Sequence, residues 1–118
     1  MADRITLVKT VAPGAYAADG VALTMAAADV ANKNRFVPTG KELVIAYNSN
    51  AAATARAVTI NSSADQYGRT GDITADSIAA GAYHIYGPFP LDGWKQSGGY
   101  IHLEADNAEI LFGVVTLP

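Results

Sequence analysis

Apolar and polar residues alternate with a period of two along most of this chain, in short runs separated by glycine, proline, asparagine and aspartate. "ITLVKT" (5–10) stops at the breaker "APGA", and "GVALTM" (20–25) resumes the apolar pattern. "KELVIAYN" (41–48) starts after "VPTG" and ends at the polar "NSNAAAT". In "ARAVTINS" (55–62), Val58 and Ile60 fall on one face and Ala57 and Thr59 on the other. "GAYHIYGP" (81–88) and "YIHLEA" (100–105) also alternate, whereas "EILFGVVTL" (109–117) is apolar on both faces, the signature of a strand buried inside a fold. Val, Ile, Thr and Tyr concentrate in these runs, which favours strand over helix. "MAAADVANK" (25–33) is alanine-rich but too short to hold a helix alone, and is expected to form at most a short helical turn. About seven or eight short strands with turn signals between them predict an all-β sandwich or barrel. No repeat or linker divides the 118 residues, so one domain is expected over 1–118.

The same period assigns faces. In 81–88, Tyr83 and Ile85 share one side and His84 and Tyr86 the other; in 100–105, Ile101 and Leu103 oppose Tyr100, His102 and Glu104. The isoleucine-bearing faces are expected to meet the core, leaving the histidine-bearing faces for solvent or a neighbouring subunit. Residues 82–100, "AYHIYGPFPLDGWKQSGGY", carry Tyr83, Tyr86, Phe89, Tyr100 and the sole tryptophan, Trp94. Two functions compete for them. Exposed and coplanar, Tyr86, Trp94 and Tyr100 would make a sugar-stacking face, as in a carbohydrate-binding or adhesion module. Pro88 and Pro90 favour packing instead: proline cannot donate to a central ladder, so "GPFP" ends a strand, Phe89 plugs one end of the sandwich, and Leu91 and Trp94 pack beneath the next turn.

Charge narrows the field further. Eight basic and eleven acidic residues give a net charge of −3, and the basic residues are scattered, so no cationic nucleic-acid face is expected. Charged residues make up only 16% of the chain. That fits either a surface partly covered by other protein or one where alanine, serine and threonine stand in for charges. Without cysteine, disulfides and thiolate metal sites are excluded. "MADRITLVKT" lacks the apolar run of a secretory leader, and no eighteen apolar residues run together, so a soluble protein made in a cytoplasm, with no membrane partner, is expected.

Catalytic chemistry finds little purchase. His84 and His102, on strands that would be neighbours, could imitate a metal pair as in a cupin-type enzyme, but no further histidine or cysteine accompanies them. Asp72 and Asp76 in "DITAD", with Asp65 nearby, lack calcium-loop spacing and read as a solvated loop. Ser97 sits beside Gly98 and Gly99 with no base in view, and "GRTGD" (68–72) reads as a turn. No enzyme, cofactor or metal is expected.

Three segments, "FVPTGKELVIAYNSNAAATARAVTI" (36–60), "SIAAGAYHIYGPFP" (77–90) and "EILFGVVTLP" (109–118), together resemble the small head decoration (cement, or minor capsid) proteins of tailed bacteriophages. That resemblance implies a jelly-roll-like β-sandwich lying on the capsid surface of the virion, with the major capsid protein as partner and a homo-oligomer, a trimer by preference, as the bound unit. It transfers no catalytic residue. The candidate subunit or partner contacts are then Arg4, Ile5 and Leu7 in the N-terminal segment Ala2–Val11, and Tyr86, Trp94 and Tyr100, with the alanine-rich 25–34 segment a weaker choice.

Overall fold

Residues 4–13, 19–63, 67–68, 70–96 and 98–117 are described in the computed structural model; Ala2, Asp65 and Ser97, named above, and residue 69 of "GRTGD" lie outside them. Ten strands form among the described residues. They are β1 (Ile5–Thr6), β2 (Lys9–Val11), β3 (Met25–Ala27), β4 (Asn34–Phe36) and β5 (Glu42–Asn48), then β6 (Arg56–Asn61), β7 (Ile73–Ile78), β8 (Tyr83–Tyr86), β9 (Ile101–Ala105) and β10 (Ile110–Thr116). One sheet runs β1-β4-β9-β6-β7; the other runs β2-β10-β5-β8, with β3 also on β10. The two parallel pairings, β1 with β4 and β2 with β10, make both sheets mixed. The all-β sandwich expected from the alternation is the architecture observed.

The strands that alternate most clearly build the core as expected. Val58 and Ile60 of β6, Ile101 and Leu103 of β9, Phe36 of β4 and Ile78 of β7 are fully buried from one sheet. Val44 and Ala46 of β5 and Ile110, Phe112 and Val114 of β10 meet them from the other. Each large side chain withdrawn in this way contributes roughly 1.5–3 kcal/mol. β10 lies between β5 on one edge and β2 and β3 on the other; one of its apolar faces is in the core through Ile110, Phe112 and Val114, and Met25 and Leu23 lie over the other at Gly113.

Two polar side chains of β5 are buried with these apolar ones. The Asn48 amide donates to Thr54 O at 3.0 Å and to Ile78 O at 2.9 Å, tying the end of β5 to β7 across the sandwich. Glu42 accepts from the Thr39 backbone N–H at 2.7 Å, the Thr39 hydroxyl at 2.6 Å, Lys9 Nζ at 3.4 Å and the Thr116 hydroxyl at 3.3 Å. One carboxylate thereby joins β2, the turn before β5 and the end of β10. The cost of burying a charge is met by this saturation of its oxygens.

Residues 25–33 keep to the single short turn expected of them: Met25–Ala27 pair with Gly113, Phe112 and Leu111 as β3, and the turn that follows is closed by the Lys33 N–H donating to Asp29 O at 2.8 Å. Three other expectations are corrected. Of "GVALTM", only Met25 is in a strand. "DITAD" is not a loop: residues 73–78 form β7, whose alternation is hidden by a bulge opposite Val58/Ile60 and by Ala75 in a left-handed conformation at φ 49°. In β8 the faces are reversed. Tyr86 is buried at 8% exposure, while Tyr83 and Ile85 stand out at 64% and 65%. Register decides it: Tyr86 and His84 lie opposite Val44 and Ala46, the core residues of β5, so Ile85 and Tyr83 share the outer side with Ile45 and Tyr47.

Candidate functional site

The outward faces of the two sheets differ in chemistry. On the β1-β4-β9-β6-β7 sheet the outward positions are polar and interlinked. Glu104 of β9 accepts from Arg4 at 3.3 Å, Lys33 at 2.9 Å and Asn61 at 3.0 Å. Partial burial alone would raise its pKa, but these donors outweigh it and hold the carboxyl below its ordinary range. Arg35 of β4 lies 3.9 Å over the Tyr100 ring and donates to Thr6 Oγ1 at 3.0 Å. Between these cations, His102 titrates below its usual value, first through burial and then through Arg4 and Arg35. A recess of about 210 Å³ lined by Ala57, Thr59, Ala75, Glu104, Ala105 and Asp106 opens on this side.

On the other sheet the outward positions are Thr10 of β2, Met25 and Ala27 of β3, Leu111, Gly113 and Val115 of β10, Leu43, Ile45 and Tyr47 of β5, and Tyr83 and Ile85 of β8. None carries a charge. The Tyr47 and Tyr83 rings stack with centroids 4.4 Å apart and planes at 23°, and Ile45 lies opposite Ile85. Over β10 the face is partly covered by the chain itself: Gly113 has no side chain, and the Met25 sulfur and Leu23 methyls fill the space where one would stand. On the β5–β8 half, Tyr83 and Ile85 stand exposed beside the half-buried Ile45 and Tyr47. A contiguous apolar face of this kind is a candidate interaction surface.

A third cluster closes the side where β7 and β8 meet. Asp76 Oδ2 accepts from the Tyr86 hydroxyl at 2.6 Å and lies 2.8 Å from His84 Nδ1. These bonds, Tyr86 first, hold the Asp76 carboxyl below its ordinary range, while burial and the same carboxylate push the Tyr86 phenol up. The arrangement has the look of an acid–histidine pair, yet its third member is a phenol locked in the core, and it joins the two sheets. His84 and His102 are not neighbours: β8 pairs with β5, and β9 with β4 and β6. Among the described residues, no group of three His, Cys, Asp or Glu side chains gathers where a metal ion could bind.

The six sequence-derived contact residues are dispersed. Leu7 is buried in the core, and Tyr86 is buried beside Asp76, so neither can meet a partner. Arg4 is engaged by Glu104, and Tyr100 lies under Arg35. Ile5 is exposed at the β1 edge. Trp94 packs edge-on against Phe89 at 4.9 Å, and Phe89 in turn lies 6.5 Å from Phe36, the end plug expected from "GPFP". Trp94 also lines an open cleft of about 370 Å³ with Ser62, Thr70, Gly71, Pro90, Asp92 and Gly93. Tyr86, Trp94 and Tyr100 therefore form no common platform. The residues that do converge, Ile45, Tyr47, Tyr83 and Ile85, were missed because period-two patterning cannot say which of two apolar faces of "AYHIYG" points inward.

No family model, curated protein or solved structure matches this chain.

Proposed function

We propose that this chain is a virion structural protein that decorates the outside of an assembled bacteriophage head and stabilises it. The observation that carries this reading is the uncharged outer face of the β3-β10-β5-β8 sheet, set opposite a charged one: a domain with one wet face and one apolar face is made to lie against other protein. Support also comes from the three segments, 36–60, 77–90 and 109–118, that resemble head decoration proteins. The mechanism is mass action. A protein that binds the expanded shell better than its unexpanded form or separated subunits shifts the equilibrium toward the shell, and many modest contacts suffice when each bound unit touches several capsid subunits.

The test is to add the purified protein to expanded phage shells that lack it, assembled from the major capsid protein of the particle it is proposed to decorate. Saturable co-sedimentation, ordered density at symmetry-equivalent positions and a higher shell melting temperature are expected. Shells that stay bare at high protein concentration overturn the proposal.

A further inference from the structure

We infer that Arg35 and His102, side by side on the outer face of the β1-β4-β9-β6-β7 sheet, form a docking site for a carboxylate side chain carried by an acidic segment of another protein. The fold gathers there cations that the sequence scatters. Arg4 and Lys33 both reach Glu104, at 3.3 and 2.9 Å, and Arg35 follows Lys33 by two residues on β4. Three cations thus share one carboxylate, a local positive excess on a chain whose net charge is −3. Such a spot draws anions.

Of the three, Arg35 is the one left uncompensated. Its Nε donates to Thr6 Oγ1 at 3.0 Å and its guanidinium lies 3.9 Å over the Tyr100 ring, but no carboxylate pairs with it among the described residues. Neither Nη atom meets a protein acceptor among those residues. The result is a fork fixed from behind, whose two free ends match the two oxygens of a carboxylate. A fork already held in place loses less freedom on binding.

His102 lies directly opposite Arg35 in the β4–β9 register, on the same outward face, so their Cβ atoms are about 5 Å apart. Its ring nitrogens have no hydrogen-bond partner among the described residues, and no buried side-chain nitrogen there is left unpaired, so both reach solvent. Burial first, then Arg4 and Arg35, hold its titration below the usual value. At pH 7 the ring is therefore neutral and offers one N–H donor beside the fork. One unpaired guanidinium and one neutral donor suit a single, singly charged carboxylate.

The surroundings decide what carries that carboxylate. The positive ground is short, because Glu104 and Asp106 line the recess beside it, and a phosphate backbone following this face would run onto their carboxylates. Arg35 and His102 stand on the open sheet and line neither recess of the domain described above, so a free small acid would find no walls. The remaining contacts must come from the molecule that bears the acid, and an acidic protein segment supplies them.

Side-chain NMR of the full chain at pH 7 tests this with three probes at one ionic strength set by NaCl: a blocked peptide with a single glutamate, its glutamine counterpart, and inorganic phosphate. The glutamate peptide should shift the Arg35 and His102 signals saturably, with a Kd on the order of 10 mM, and the glutamine peptide should not. Read at His102, Arg35→Gln should weaken binding about tenfold or more. Arg35→Lys, which keeps the charge but loses the fork and the stack, should weaken it too. Lys41→Gln, the same loss of charge at an exposed lysine before β5, should leave it unchanged. The Arg35 side chain is on the surface, so the variants should keep the wild-type far-UV circular dichroism, and that spectrum confirms folding. No saturable shift with the glutamate peptide, tighter binding of phosphate at the same residues, or a folded Arg35→Lys that binds as wild type does overturns the inference. It does not rest on the decoration reading: shells that stay bare leave it standing, and a peptide that fails to bind leaves the decoration reading untouched.

Discussion

Tyr47 and Tyr83 stack with ring centroids 4.4 Å apart on the outside of the sandwich, across β5 and β8, where water reaches both rings. Cross-strand aromatic pairs contribute about 0.5–1 kcal/mol, and an exposed pair stays at the low end. Tyr83→Ala should therefore lower the unfolding free energy by less than about 1 kcal/mol in urea titrations at low protein concentration. A larger loss would mean that the Tyr83 ring holds more of the fold than its stack on Tyr47.

Tyr86, three residues further along the same strand, should behave differently. Its ring is in the core, and its hydroxyl donates to Asp76 at 2.6 Å. Tyr86→Phe keeps the ring and removes that donor, leaving the Asp76 carboxylate with the His84 ring. Hydrogen bonds to charged groups are worth about 1.5–3 kcal/mol, discounted here because Asp76 is partly solvated, so a cost of about 1–2 kcal/mol is expected. Denaturant unfolding of Tyr86→Phe beside Tyr83→Phe checks it, the second being near neutral. Equal costs for the two would contradict the reversed faces of β8.

That reversal shows where the sequence is legible and where it is not. β6 and β9 place one apolar and one polar face each, so Val58, Ile60, Ile101 and Leu103 announce the core unaided. In "AYHIYG" both faces are apolar or aromatic, and the deciding fact is long-range: pairing with β5 sets Tyr86 against Val44. β7 was hidden for a local reason, since the left-handed Ala75 and the bulge break the period just where two aspartates already suggest a loop. Glu42 looked like an ordinary charged residue at the start of a strand, and its three other partners come from residues 9, 39 and 116, which only the fold brings together. The apolar outer face depends on all of these registers at once, which is why composition hinted at covered surface without placing it.

Gly113 supplies a sharper packing test. A methyl group there would overlap the Met25 sulfur and crowd the Leu23 methyls at 3.2 and 3.3 Å, so Gly113→Ala overfills the cover of β10. Overpacking costs typically 1–3 kcal/mol, and because Met25 is flexible the lower part of that range is expected. In a Met25→Ala background the same substitution should recover about 1 kcal/mol, an interaction energy measurable by a double-mutant cycle. Additive effects would mean that Met25 does not lie over Gly113.

Glu42 makes the acid response of the domain predictable. Burial alone would raise its pKa, but the Thr39 bonds and then Lys9 overcome that and hold it below its ordinary value of 4.5. A carboxyl depressed in the folded state binds fewer protons there than in the unfolded chain, so stability rises with pH between the two values. Its contribution is complete above the unfolded value and is lost as the pH falls from about 4.5 through the lower folded value. Glu42→Gln removes the charge and turns two donor hydrogens toward groups that already donate, Lys9 and the hydroxyl of Thr39 or Thr116. At pH 7 it should cost about 2–3 kcal/mol, below the usual figure for a broken buried pair because Lys9 reaches solvent. The gap between wild type and Glu42→Gln should then close as the pH is lowered from 5 toward 3, because wild type alone loses this contribution. Asp76 and Glu104, also depressed, are common to both proteins and cancel in the difference. Urea unfolding at half-unit pH intervals reads the gap directly, and one that stays constant down to pH 3 would falsify the role assigned to this carboxylate.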